Sequence, residues 1–235
     1  MFQQSLRALS TVLIVAGTLL ILDAGVTLAW QEPVSAIYAD IQQSHLRSQL
    51  DHLEANALAP RLRRALRKLP SSGKKIAFLA RMERRTVAEG HALGRIKIPK
   101  IGASFVVVQG TNTSDLQKRP GHYPATPLPG VHGTVAIAGH RTTYLAPFRH
   151  IDELKHGDTI RLEMPYGLFT YSVMRVQVVK PTALWITEPV GYDQLVLSAC
   201  HPLYSASHRI VVFARQVSVL PRGQALLSQA PASIG

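Results

Sequence analysis

From Gly90 onward the chain falls into short runs rich in β-branched residues, and this pattern limits the fold more than any other feature. GRIKIP, ASFVVVQG, GTVAIAG, DTIRLEM, FTYSVMRVQVV, DQLVLSAC and RIVVFARQVSV follow one another, with turn residues such as Gly157-Asp158 and Pro165-Tyr166-Gly167 between them. β-Branched and aromatic side chains suit a pleated surface, and seven such runs at this spacing argue for a small β-barrel or sandwich. Short helices near Thr113–Gln117 and over 144–154 are expected as insertions. After Val219 the tail PRGQALLSQAPASIG has no periodicity, so residues 220–235 are expected to be disordered. At 235 residues and 46% hydrophobic content the chain can bury a full core, enough for one domain with appendages.

The N-terminus has a different character. Ala8–Leu22 is free of charge, Asp23 interrupts, and apolar residues resume up to Trp30. At about 1.5 Å per residue, positions 8–30 extend roughly 35 Å, enough to cross a bilayer core of about 30 Å with some tilt. Asp23 counts against the span by about 2.5–3.5 kcal/mol, softened because it lies past the centre. Trp30 falls where aromatic residues gather at a membrane interface. Arg7 precedes the span and no Lys or Arg follows until Arg47, which keeps the N-terminus cytoplasmic and the rest of the chain outside. Residues 1–30 therefore read as a cytoplasmic tip and signal-anchor. A cleaved signal peptide with Thr27-Leu28-Ala29 as its site, and a buried core helix, stand as alternatives.

Between span and strands, residues 31–90 read as a helical, basic stalk. Leu46, Leu50, Leu53 and Ala57 recur at helical spacing over 35–58. Leu62, Leu66 and Leu69 share one face of RLRRALRKL before Pro70-Ser71-Ser72-Gly73 stops it, and a third helical run is expected over about 75–88. Residues 61–85 carry ten Lys/Arg against a single acid, Glu83, within a chain of net charge +12. In an exported protein such a run meets anionic lipid heads or wall polymers rather than nucleic acid. Neither a CxxC nor an HExxH pattern is present, and no metal or other cofactor is expected.

Cys200 is the one cysteine, placed behind the strand-like run LVLSA. An unpaired thiol in an exported chain suggests chemistry, although a small buried hydrophobe is the plain alternative. Free thiols ionise near pH 8.5, so only about 3% is thiolate at pH 7 and a basic partner is needed. His201 is adjacent, but neighbouring side chains on a strand point to opposite faces. His140, at the end of TVAIAG, can meet Cys200 if the two strands are neighbours. Arg209 opens the next run, and an antiparallel return through HPLYSASH brings it back towards the cysteine. There a guanidinium can stabilise a thiolate or an oxyanion. Taken singly, His140 reads as a strand-end capping residue and Arg209 as an edge gatekeeper.

Together, strand–Cys–x(8)–Arg with an upstream strand–Gly-His resembles the sortase family of cysteine transpeptidases. The likeness runs from about Gly94 to Val217, through GRIKIPKIG, GHYPATPLPG, AGHRTTYLAPF, LKHGDTIRL and LVLSACHP. It implies an eight-stranded, mainly β sortase barrel over 91–219 with a His-Cys-Arg active site: Cys200 as nucleophile, His140 as acid–base group, and Arg209 as holder of peptide and oxyanion. It further implies secreted partner proteins with a C-terminal LPxTG- or LAxTG-like sorting signal, cleaved between Thr and Gly, and an amine of a cell-wall precursor as acceptor. AGHRTT and the His-Pro after the cysteine are most similar to the class E and class D groups. Where the family commonly reads TLTTC this chain reads LVLSAC, so Ser198 and Ala199 replace two threonines of the substrate groove. These two and His201 are the candidate substrate-binding residues. No Asp-Pro-aromatic lid segment of the pilin-building kind is found, which favours wall anchoring over polymerisation. An L,D-transpeptidase-like enzyme is disfavoured because its SHGCxR pattern is not met, and a non-enzymatic anchored protein binding anionic wall polymer is disfavoured by the intact triad.

Overall fold

A computed structural model describes residues 2–29, 44–46, 48–51 and 60–226. Its centre is a closed barrel of eight strands in the order β1-β2-β3-β4-β7-β8-β6-β5, with β5 pairing back onto β1. The strands are β1 Ala92–Ile98, β2 Ala103–Gln109, β3 Gly121–His122, β4 Thr134–Ala138, β5 Thr159–Met164, β6 Gly167–Val179, β7 Gln194–His201 and β8 His208–Pro221. Neighbours are antiparallel except for β2–β3 and β4–β7, which run parallel. All seven runs legible in the sequence are strands. The eighth, β3, has only two residues, too few for any alternation to show.

Alternation decides which side chains fill the barrel. On β7, Leu195, Leu197 and Ala199 point inward and join Val135 and Ile137 of β4 and Ile210, Val212 and Ala214 of β8 in the main core. The opposite parity, Ala136, Val196, Val211 and Phe213, makes a second apolar cluster outside the wall with Val179 and Ile186. Val179 ends β6, and Ile186 belongs to the 3-10 turn Leu184–Thr187 in the connection to β7. With both faces covered, β4 and the first part of β7 read as unbroken apolar runs.

The segment expected as a free-standing stalk is partly built into the barrel. Helices Pro60–Arg67 and Ser72–Thr86 place Leu66, Ile76, Leu79 and Ala80 in the main core cluster. The cause is amphipathicity: the basic residues other than the buried Lys75 occupy the outer face while every third or fourth residue is apolar. Ser71 caps the second helix, its hydroxyl accepting from the Lys74 amide at 3.3 Å. Leu46 and Leu50 pack on Ala92, Val106 and Val108, as their spacing predicts. Trp30, Leu53 and Ala57 lie outside the described residues.

Two more expectations are corrected. The chain is ordered past Val219, through the end of β8 and a 3-10 turn at Gly223–Leu226 that buries Ala225. Residues 227–235 lie outside the described part. In place of a helix over 144–154 there is a left-handed turn at Tyr144, Leu145 and Ala146 (φ 52°, 63° and 40°), followed by a 3-10 turn at Ile151–Glu153. The Phe148 amide bonds the His140 carbonyl at 3.0 Å, closing the loop onto the end of β4 and leaving no helical ladder.

At the N-terminus, Phe2–Ala29 is one helix. Its Arg7–Val26 stretch is long and apolar enough to cross a membrane, and none of it is buried against the rest of the chain.

Candidate active site

The site grows from strand register. β7 and β8 are antiparallel with Cys200 opposite Arg209, so the loop between them returns the arginine to the cysteine's level, as expected. β4 and β7 are parallel with Ala138 opposite Ser198, and the Gly139 amide donates to the Ser198 carbonyl at 3.0 Å. Two residues further along each strand stand His140 and Cys200. Extending the register two residues past the end of β4 puts His140 in one row with the paired Cys200 and Arg209 of β7 and β8. All three are partly exposed.

His140 is held without using its ring nitrogens. Its carbonyl accepts from Phe148, and its ring packs on Tyr144 at 5.1 Å between centroids. Nε2 has neither solvent contact nor a hydrogen-bond partner. Desolvation by burial pushes the imidazole below its ordinary pKa, so it is neutral at neutral pH. Gly139 just before it is required by packing: a Cβ there would lie 2.5 Å from the Phe148 ring. Arg209 Nη1 donates to the carbonyls of Ala206 and His208, both at 3.0 Å, which fixes the guanidinium against the β7–β8 loop.

Ser198 shares the parity of Cys200 and lies one step deeper on the outer face, 2% exposed, its hydroxyl 3.0 Å from that of Tyr123. Ala199 and His201 do not join the row. Ala199 is in the barrel core, and His201 turns away from Cys200 to meet Arg141, its Nδ1 3.2 Å from Arg141 Nη1. The reason is the two-residue side-chain period that also separates His201 from the thiol.

Tyr123 and Arg141 were not singled out by sequence reasoning. Arg141 follows His140 directly and is 3% exposed, a rare state for an arginine. Tyr123 sits in GHYPATPLPG, where nothing marks it as a partner of a serine 75 residues away. Four rungs along the β7–β8 ladder from the Cys200–Arg209 pair, Trp185 stacks on Phe213 (5.9 Å, 8°) and Arg175 lies 4.3 Å over the same ring. Among the described residues no group of three or more His, Cys, Asp or Glu is placed to hold a metal ion. A thiol paired with a fixed guanidinium across two strands, and a neutral imidazole just past the end of a third, are parts that acyl transfer through a thioester uses.

Comparison with known proteins agrees with this chemistry. The Sortase domain family model matches residues 96–217. Sortase D of Bacillus subtilis is 35% identical over 133 residues, covering 55% of this chain and 66% of that protein. Sortase SrtE1 of Streptomyces coelicolor is 26% identical over 151 residues, 57% of this chain and 43% of that protein. The chain thus spans about two thirds of the first relative's length and less than half of the second's. The solved structure of sortase E from Streptomyces avermitilis superposes with a TM-score of 0.52 at 34% identity, covering 57% of this chain and 93% of that one.

Proposed function

The chain belongs to the sortase family of cysteine transpeptidases, and from that premise we propose that it cleaves an LPxTG- or LAxTG-like sorting signal between Thr and Gly and transfers the protein to an amine of a cell-wall precursor. The observation that carries this reading is the pairing of Cys200 with Arg209 across β7 and β8, with His140 two residues past the end of the neighbouring β4.

Cys200 Sγ gives its proton to the neutral His140 and attacks the threonine carbonyl carbon. Arg209 donates hydrogen bonds to the oxyanion that forms, and its tether to the β7–β8 loop means little reorganisation is needed at that moment. The His140 imidazolium then protonates the glycine nitrogen, the C–N bond breaks, and a thioester remains on Cys200. An acceptor amine attacks the thioester, His140 takes its proton, and the thiolate leaves and is reprotonated. One amide is broken and one formed, with no redox step. Ser198, paired with Tyr123, is our candidate for contact with the residues upstream of threonine.

The apolar N-terminal helix supports a signal-anchor at 1–30 with a cytoplasmic tip and an extracytoplasmic barrel. The bias of Arg7 before the helix favours that orientation. Substrates are then exported proteins whose sorting signal ends at the membrane's outer face. Incubating the full chain in detergent micelles with peptides carrying Pro or Ala at the signal's second position, plus an amine acceptor, tests the activity. The expected product is the Thr–amine adduct, together with a thioacyl adduct on Cys200 by mass spectrometry. Absence of both with either peptide would overturn the reading.

A further inference from the structure

We propose that Arg141 is a positioning residue that fixes the separation of His140 and Cys200 by joining the two chain exits that carry them. The inference rests on the reading of His140 and Cys200 as the reacting pair. It starts from where the β4–β7 ladder stops. The last rungs are Ala138 opposite Ser198 and the Gly139 amide on the Ser198 carbonyl. Both reacting residues lie at or beyond this point. Among the described residues, the links between the two exits past these rungs are made by side chains: Arg141 Nη1 to His201 Nδ1 at 3.2 Å, and Arg149 Nη2 to the Tyr204 hydroxyl at 3.3 Å.

The first link is placed to control the pair. Arg141 directly follows His140 and His201 directly follows Cys200, and strand alternation turns His201 away from the thiol. Movement of either partner is passed through a single peptide to a reacting residue. All three guanidinium nitrogens are engaged: besides the Nη1 link, Nη2 donates to Asp152 Oδ1 at 2.8 Å and to the Arg149 carbonyl at 3.1 Å, and Nε donates to that carbonyl at 3.3 Å. Residues 140–152 therefore close on Arg141 as one unit, with Phe148 bonded to the His140 carbonyl. Because arginine has donors only, His201 must accept at Nδ1 and carry its proton on Nε2. This assigns His201, the tempting neighbour of the thiol, to the tether and not to proton transfer.

A planar fork reaching three acceptors cannot be reproduced by lysine or by an uncharged amide. Misplacing a reacting group by about 1 Å costs on the order of 100-fold in rate. The full chain in micelles is assayed for peptidyl transfer, with Tm measured by circular dichroism. Arg141→Gln is expected to lower kcat about 100-fold with KM for the sorting peptide unchanged, the signature of lost alignment rather than lost binding. His201→Leu removes one contact of the fork and lowers kcat about tenfold, whereas His201→Asn, which keeps an acceptor at the Nδ1 position, restores it.

A second arm needs no substrate. In a His140→Cys chain, oxidation by glutathione disulfide is expected to join the introduced thiol to Cys200, because a disulfide requires Cα atoms about 4.4–6.8 Å apart. Adding Arg141→Gln is expected to lower that yield severalfold. The proposal is overturned if the yield is unchanged, or if kcat and KM worsen together with Tm and His201→Asn is no better than His201→Leu. Should the wild-type chain transfer no peptide at all, the proposed activity fails, and the crosslinking yield still decides whether Arg141 sets the spacing.

Discussion

Cys200→Ala removes the one thiol and should abolish the Thr–amine product while leaving the Tm unchanged, since the residue is partly exposed and outside the main core. His140→Ala is expected to be nearly as damaging, because the neighbouring His201 is turned away and cannot take over. The pH profile gives a finer test. Burial pushes His140 below the ordinary histidine value, so the neutral form that accepts the thiol proton persists to lower pH than in free imidazole. The acid limb of kcat/KM should therefore have its midpoint below about 6.5. A limb centred at or above that value would sink the assignment of His140 as the proton acceptor.

Helix Ser72–Thr86 is an integral part of the barrel's packing despite its basic surface. Leu79 is 5% exposed within the core cluster, and Leu79→Ala should lower stability by about 2–5 kcal/mol in urea unfolding of the full chain. A loss under about 0.5 kcal/mol, the size of a surface substitution, would mean the helix is detachable. The same helix shows what could be read from sequence. Its period of apolar residues was visible, but which surface would cover that stripe was not, and the charge run alone suggested a solvated stalk. The barrel strands were legible because β-branched runs carry their own signal, and the Cys200–Arg209 pairing followed from a short antiparallel return. Strand β3 was hidden by its two-residue length. The 144–154 loop was misread because its left-handed turn is imposed by contacts of Phe148 and Arg141 across the loop, which no local pattern encodes. Nothing in the sequence around Arg141 marks it out. Its partners lie 8, 11 and 60 residues away, and only the fold brings them to one guanidinium.

At the scale of the whole molecule, two buried groups pull stability in opposite directions with pH. His122, 1% exposed on β3 and bracketed by Gln109, Thr126 and the Pro127 carbonyl, is lowered from 6.5 to about 4 by burial. Its unfolded form gains a proton first, so its contribution is complete above pH 6.5 and is lost as pH falls towards 4. Glu83 lies on the helix that closes the barrel. Its Oε1 has no solvent contact and no partner, and burial raises the carboxyl from 4.5 to about 8. Here the unfolded chain loses its proton first, so the contribution is complete below pH 4.5 and is lost as pH rises towards 8. Between 4.5 and 6.5 the two slopes cancel, and from 6.5 to 8 only the Glu83 loss remains. At about 1.4 kcal/mol per pH unit, that loss is about 2 kcal/mol. Glu83→Gln isolates the effect, because an amide fills the same space without titrating. The variant's stability advantage should grow steadily from pH 4.5 to 8, reaching on the order of 5 kcal/mol. Urea unfolding of the two full-length chains across this range measures it, and a difference that does not change with pH would show that Glu83 ionises freely in the folded protein. The physical sense of the result is that the helix packs on the barrel with a neutral carboxyl, and the exposed charged residues over 61–85 are all Lys or Arg.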